Sequence, residues 1–231
     1  MEAVSDIGFR SLCASNGAAL VWTEMVRAQS VARKNASTLS LIDTYDAKNI
    51  NVGVQLFTKS AVELTEALNR IEELSNDPQY DHFKNIVAID LNFGCPSSDV
   101  IRIGCGPALL KRRKKLEEIF GALVKWKEST SLSVKAVGCK IRLGLNEMEQ
   151  SHKVYLRVAD AANTAGLDFV TVHARNAQQK SSDLPSWAAI GEFKDKANMP
   201  IFGNGNVFSY EDAVQLQAQS NCDGVMLARA G

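Results

Sequence analysis

Long apolar runs are missing from this 231-residue chain: none approaches the ~20 residues needed to span a bilayer, which argues against a membrane partner. Charge of one sign is missing too. Lys+Arg and Asp+Glu both number 26, so the net charge is zero and overall charge does not draw the chain to nucleic acid. A local basic patch stays possible. The N-terminus does not read as a secretory leader, because Glu2 and Asp6 stand where a basic segment belongs and no apolar segment follows. No Cys-x-x-Cys pair occurs. The five cysteines, Cys13, Cys95, Cys105, Cys139 and Cys222, are scattered and odd in number. A disulfide framework or a metal site is therefore not expected, and a reducing, cytoplasmic setting is. Cys13, Cys139 and Cys222 read as small packed hydrophobes.

What is present is a recurrence of short apolar runs at βα spacing: 18–26, 52–58, 86–94, 136–144, 169–175, 200–207 and 224–230. Amphipathic helical patterns lie between them. Residues 60–74 place Val62, Leu64, Ala67, Leu68 and Ile71 on one face, and 115–129 place Leu116, Ile119, Phe120, Leu123 and Trp126 on one face. The pattern over 155–166 stops at Gly166. The pattern over 209–220 opens with a Ser209/Asp212 capping box. The opening "MEAVSDIGFR" reads as a loop. Strands alternating with helices imply a parallel sheet with helical crossovers. Polar groups recur at the strand C-termini, which favours a (β/α)8 TIM barrel, whose strand ends converge on one face. Seven strands are visible over a single domain, 1–231, with no linker. The barrel is expected to be incomplete, lacking its first strand and the helix after its last.

The strand ends carry the chemistry. "IVAIDLNFGCPSS" ends an apolar run in Asn92, Gly94, Cys95 and Pro96. Glycine permits an unusual turn and proline stops the strand, which puts the thiol on a loop. A free thiol, with a pKa of about 8.5, donates a proton at neutral pH; it becomes a nucleophile where a base lowers that value. Packing, acid and nucleophile all remain open for Cys95 on these residues alone. Lys140, inside "GCKIRLG", is costly in a buried strand unless it meets an anion or a polar cofactor; the alternative is a strand-end lysine reaching solvent. His173 in "VTVHAR" is either a satisfied core residue or a site residue. Gln55 hydrogen-bonds a heterocycle or a loop backbone. "GNGN" (203–206) between a strand and a helix is either a tight turn or a phosphate cradle. Arg229, at the end of the next strand, adds weight to the cradle. The single strong basic run, "KRRKK" (111–115), reads as a solvated helix start or as a contact to nucleic-acid phosphate.

"DLNFGCPSSDVIRIGCGPALL" resembles the signature of the tRNA-dihydrouridine synthases, with its D-x-N-x-G-C-P core followed by G-x-G-x-x-L. "MEAVSDIGFR", "TEMV", "VQLF", "KIRLG", "VHAR", "NGN" and "GVMLARA" resemble further family motifs in family order, so the likeness covers essentially the whole chain. It implies an FMN-dependent TIM-barrel reductase that uses NADPH to reduce the C5=C6 bond of uridine in tRNA. By the same resemblance Cys95 matches the proton donor, with Asn92 beside the target base. Met1, Gln55, Lys140 and His173 match flavin contacts. Asn204, Gly205, Asn206, Ala228 and Arg229 match the phosphate site. Arg142 and Arg175 become candidates for contacts to the flipped nucleotide.

The sequence departs from the family pattern in several places. The Ala-Pro that normally precedes the methionine matching Met1 is absent, as are the helix after "ARAG" and the C-terminal helical domain that helps grip tRNA. Asn206 stands for an aspartate and Ala228 for a glycine, and "KRRKK" is not typical of its position. A truncated, non-catalytic RNA-binding relative and an FMN-dependent reductase of a free pyrimidine are the alternatives. A monomer is favoured.

Overall fold

The computed structural model describes residues 4–45 and 50–230. Met1 therefore lies outside the described residues. The chain divides into two compact units, Met1–Leu91 with Ala122–Val137, and Asn92–Gly121 with Gly138–Gly231.

The first unit opens with helix α1 (Ile7–Ser15), where a loop is expected from the sequence. Asp6 starts it by accepting a hydrogen bond from the Phe9 amide, so the polar opening is a cap rather than a loop. Strand β1 (Val21–Arg27) follows, then two short helices, α2 (Ala28–Ala32) and α3 (Ala36–Leu39). Next come strand β2 (Val52–Phe57) and helix α4 (Ala61–Leu74). Strand β3 (Ile86–Phe93) runs from this unit into the second. β1 pairs with β2, and β2 with β3, both in parallel. Leu64, Ala67, Leu68 and Ile71 of α4 are fully buried, but Val62 is 67% exposed and does not belong to that face. At 100° per residue Val62 falls almost opposite the centre of the apolar stripe and so faces away from the core.

After β3 the second unit continues with α5 (Ser98–Arg102), then α6 (Arg113–Ser129), which runs back into the first unit. β4 (Ala136–Arg142), α7 (Glu147–Ser151), α8 (Leu156–Ala165) and β5 (Phe169–His173) come next. The unit ends with α9 (Trp187–Lys196), β6 (Ile201–Asn204), α10 (Tyr210–Ser220) and β7 (Gly224–Val225). β4, β5, β6 and β7 pair in parallel. Helix α9 has no counterpart in the sequence reading, because its apolar stripe is short: Ala189, Ile190 and Phe193 are its buried residues. α10 has the expected capping box, and α8 ends at Gly166 as expected.

β7 is two residues long, not the seven expected. Its partner β6 is itself short, and after Asn204 the backbone turns away, so the last ladder bond is from the Met226 amide to the Gly203 carbonyl (2.9 Å).

The strand order is the chain order, β1 to β7, in one sheet. A doubly wound sheet reverses its order at a switch point, whereas a β/α barrel never does. The order is that of the barrel class. Among the described residues no helix is long and apolar enough to cross a membrane.

Candidate functional site

In the first unit polar strand groups bond one another, although the buried Asp90 Oδ1 accepts no hydrogen bond among the described residues. The Gln55 side-chain amide donates to the carboxylate of Asp90, its cross-strand partner in the β2–β3 register. Asp90 is fully buried. Glu24, midway along β1, accepts the backbone N–H groups of Val4 (3.1 Å) and Ser5 (2.9 Å). Gln55 thus orients a buried carboxylate, a role the sequence does not disclose because it depends on strand register.

In the second unit the loop after β3 is held from within. The Asn92 side-chain oxygen accepts the amides of Gly94 (3.0 Å) and Cys95 (2.8 Å), an Asx-turn that bends the chain off the strand. Asn92 is buried and Cys95 half-buried. Gly106 packs against this loop. Its φ of +62° suits glycine, and a Cβ there would sit 3.3 Å from the Cys95 carbonyl oxygen. The second glycine of "GCG" therefore shapes the backbone that presents the thiol. Arg142, at the end of β4, donates through Nε to the Gly94 carbonyl (2.8 Å) and through Nη1 to the Asn176 carbonyl (2.9 Å). It ties the cysteine loop to the loop after β5.

Arg142, His173 and Asn204 lie in register across β4, β5 and β6. Lys140 is two residues before Arg142 on the same face of β4. Arg175 is 2% exposed, and its guanidinium donates to the backbone carbonyls of Ser181 (3.1 Å) and Asp183. Arg142, Arg175 and Arg229 make no ion pair within 4 Å among the described residues. Their side-chain partners are neutral oxygens, so their charge is solvated but not cancelled.

His173 reports that charge. Burial, then Lys140, Arg142, Arg175 and Arg229, push its pKa down to about 2, so the ring is neutral. Its Nδ1 is buried with no hydrogen-bond partner. Burial and Arg175 lower the Arg142 pKa, with Cys95 opposing; burial and Arg229 lower that of Arg175, with Asp183 opposing. Arg142, His173, Arg175, Gln179, Lys180, Ser181 and Arg229 line a pocket of about 130 Å³. That is a subsite rather than a full ligand pocket, which is usually about 300–1,000 Å³.

The two motifs expected to share a phosphate do meet. Asn204 Nδ2 donates to the Met226 carbonyl (2.7 Å), and Arg229 Nη2 donates to the Asn206 side-chain oxygen (3.1 Å). Arg229 also lies over the Phe208 ring, 4.9 Å from its centroid. Gly205, at φ +122°, permits the turn. Trp187 Nε1 holds the Gly205 carbonyl at 2.9 Å, a support that comes with α9 and was not legible in the sequence. Ala228 is exposed beside Arg229. The N-terminus of α10 adds less than expected: Asp212 accepts the amides of Phe208 and Ser209, and Ser209 accepts that of Asp212. An anion is left with the turn and Arg229.

A parallel sheet in chain order, with a positioned thiol and a cluster of arginines at its strand ends, defines a protein of the β/α-barrel class. The dihydrouridine synthase family matches residues 1–231, and the chain belongs to that family. A probable tRNA-dihydrouridine synthase of Mycobacterium tuberculosis is 30% identical over 99% of this chain and 57% of its own length. One from Aquifex aeolicus is 30% identical over 100% of this chain and 67% of its own. A tRNA-dihydrouridine(47) synthase [NAD(P)(+)]-like protein of Xenopus tropicalis is 31% identical over 97% of this chain but 32% of its own. The chain thus spans about half the length of several curated relatives. Among solved structures, an old yellow enzyme homologue from Zymomonas mobilis aligns with a TM-score of 0.59 at 8% identity, over 91% of this chain and 75% of that one. DHODH from Eimeria tenella aligns at 0.53 and 13%, over 88% and 56%. At those identities the likeness shows the fold alone, and it is the TIM-barrel fold expected from the sequence.

Proposed function

We propose that this chain is the catalytic part of a tRNA-dihydrouridine synthase, a flavin-dependent oxidoreductase that reduces uridine in tRNA. The observation that carries this is the half-buried His173, its Nδ1 enclosed without a partner, next in register to the arginine that anchors the Cys95 loop and with Lys140, Arg175 and Arg229 close by.

The residues fit FMN. The excess positive charge suits a phosphate, and the orphaned His173 Nδ1 suits a polar atom of a heterocycle or ribityl chain. Lys140 and His173 would hold the flavin's polar edge and chain. The turn at Asn204, Gly205 and Asn206, with Ala228 and Arg229, would hold the phosphate. Gln55 and Met1 belong to the set by family resemblance alone. These residues would hold a flavin whose chemistry, once it is reduced by NADPH, would be hydride donation to C6 of the uracil.

Cys95 supplies the other half of the reduction. Its S–H gives a proton to C5 as that carbon gains a C–H bond, and the thiolate is reprotonated from solvent. Asn92 fixes the thiol by bonding the Cys95 amide and lies beside the base. Arg142 sets the loop through the Gly94 carbonyl. The base must leave its stack to reach a thiol on a strand-end loop, at a cost of a few kcal/mol. The test is dihydrouridine content of tRNA after incubation with the full chain, FMN and NADPH. Product that disappears on Cys95→Ala supports the proposal. No product from the unsubstituted, flavin-loaded chain overturns it.

A further inference from the structure

The run Lys111–Arg112–Arg113–Lys114–Lys115 is not used by the chemistry above. Two of its five charges are cancelled within the second unit. Lys111 pairs with Glu149 (3.3 Å), and Arg113 pairs with Glu117 (2.7 Å) and approaches Asp160 (3.8 Å). Arg112, Lys114 and Lys115 have no ion pair among the described residues; the first two are exposed and Lys115 partly so.

The position of the run is defined by its partners. Glu149 is buried and also accepts the Leu145 amide (2.9 Å), in the loop that follows β4. Lys111 is thereby fastened beside the loop that leaves the strand bearing Lys140 and Arg142. The run also opens α6, the helix that follows β3 and the Cys95 loop, so it belongs to the strand C-terminal end, where the site is. Two anchored cations hold three free ones on the surface at that end. From Arg113 onward the run is helical, which rules out reading by a partner that needs an extended peptide.

We infer that Arg112, Lys114 and Lys115 form a secondary contact for the RNA substrate, holding backbone phosphates of the strand whose base is delivered to Cys95. This rests on the proposal that the substrate is a tRNA. The contact is independent of base identity, since phosphate contacts position a nucleic acid without reading its sequence. It also resolves the chain's lack of net charge: the affinity comes from a patch.

The experiment replaces Arg112→Gln, Lys114→Gln and Lys115→Gln together in the full chain. A control triple, Arg33→Gln, Lys125→Gln and Lys135→Gln, removes the same charge at other exposed positions. Binding of unmodified tRNA is measured against salt for each protein, and dihydrouridine formation is followed in parallel. The expected result is a log Kd against log salt slope less steep by about 2, with affinity down on the order of tenfold near 0.1 M salt. Turnover at saturating tRNA stays unchanged, and the control keeps the original slope. An unchanged slope in the first triple overturns the inference, leaving the run a solvated helix start or a surface for an acidic protein. Equal losses in both triples overturn it as well, since net charge would then explain them. Failure of the enzymatic reading is seen separately, as absence of dihydrouridine from the unsubstituted chain.

Discussion

The strand ends of the first unit and those of the second are equally polar but differently satisfied. In the first, the polar groups answer one another: Gln55 bonds Asp90, and Glu24 collects two backbone amides. In the second, Lys140, Arg142, Arg175 and Arg229 crowd around one neutral histidine, and the three arginines donate to carbonyl or amide oxygens instead of carboxylates. Polarity at a strand end is therefore a poor marker of a ligand site, and uncancelled like charge is a better one. Folded chains rarely gather repulsive groups unless a ligand offsets the repulsion.

The sharpest way to separate the two regions is to remove groups from each. In the second unit, Cys95→Ala is expected to lower dihydrouridine formation by about 10²-fold or more while leaving bound flavin in place, the scale of losing a general acid. Retained activity would return Cys95 to a packing role. In the first unit, Gln55→Ala strips a partner from the buried Asp90 and is expected to cost about 1–3 kcal/mol in denaturant unfolding. An unchanged midpoint would show that the pair is not structural.

Arg229→Ala should do the reverse. It removes an exposed, repelling charge, so ligand-free stability should move by no more than about 0.5 kcal/mol. The His173 pKa should rise, because one of the cations holding it down is gone. An NMR titration of His173 that does not move would contradict the shared field.

The pH dependence follows from the same histidine. Folded His173 refuses a proton down to about 2, while the unfolded side chain takes one near 6.5. Acid therefore favours the unfolded chain, and stability present above 6.5 is lost as pH falls toward 2. His173→Asn should flatten that loss in pH-dependent unfolding curves; identical slopes would mean the ring is not held neutral. The smallest effect belongs to Asp99→Ala, which breaks an exposed pair with Arg102 and should cost under about 0.5 kcal/mol.

The runs of β-branched and aliphatic residues made six strands legible, because buried parallel strands are apolar on both faces. The meeting of "GNGN" with Arg229 was legible too, since adjacent strands bring their ends together. What escaped depends on contacts rather than pattern. The α1 cap lies within a polar opening, α9 has a three-residue apolar stripe, and β7 is cut short by the turn after β6. Asn92 was legible as a polar residue near the thiol, but its hold on the Cys95 amide is a matter of backbone geometry. Arg142 and Arg175 read as candidate contacts to the flipped nucleotide or its phosphates, and the bonds of their guanidinium groups to the Cys95 loop and the loop after β5 are not visible in the sequence. Such bonds connect residues dozens of positions apart, and no local period records them.

The central claim is that the cations of the second unit are gathered for a phosphate-bearing flavin. Titrating the full chain with FMN and with riboflavin, which lacks the phosphate, tests it most directly. Tighter binding of FMN by about tenfold or more, with the preference lost in Arg229→Ala, is the predicted result. Equal affinity for the two flavins, or a preference that survives Arg229→Ala, would contradict it.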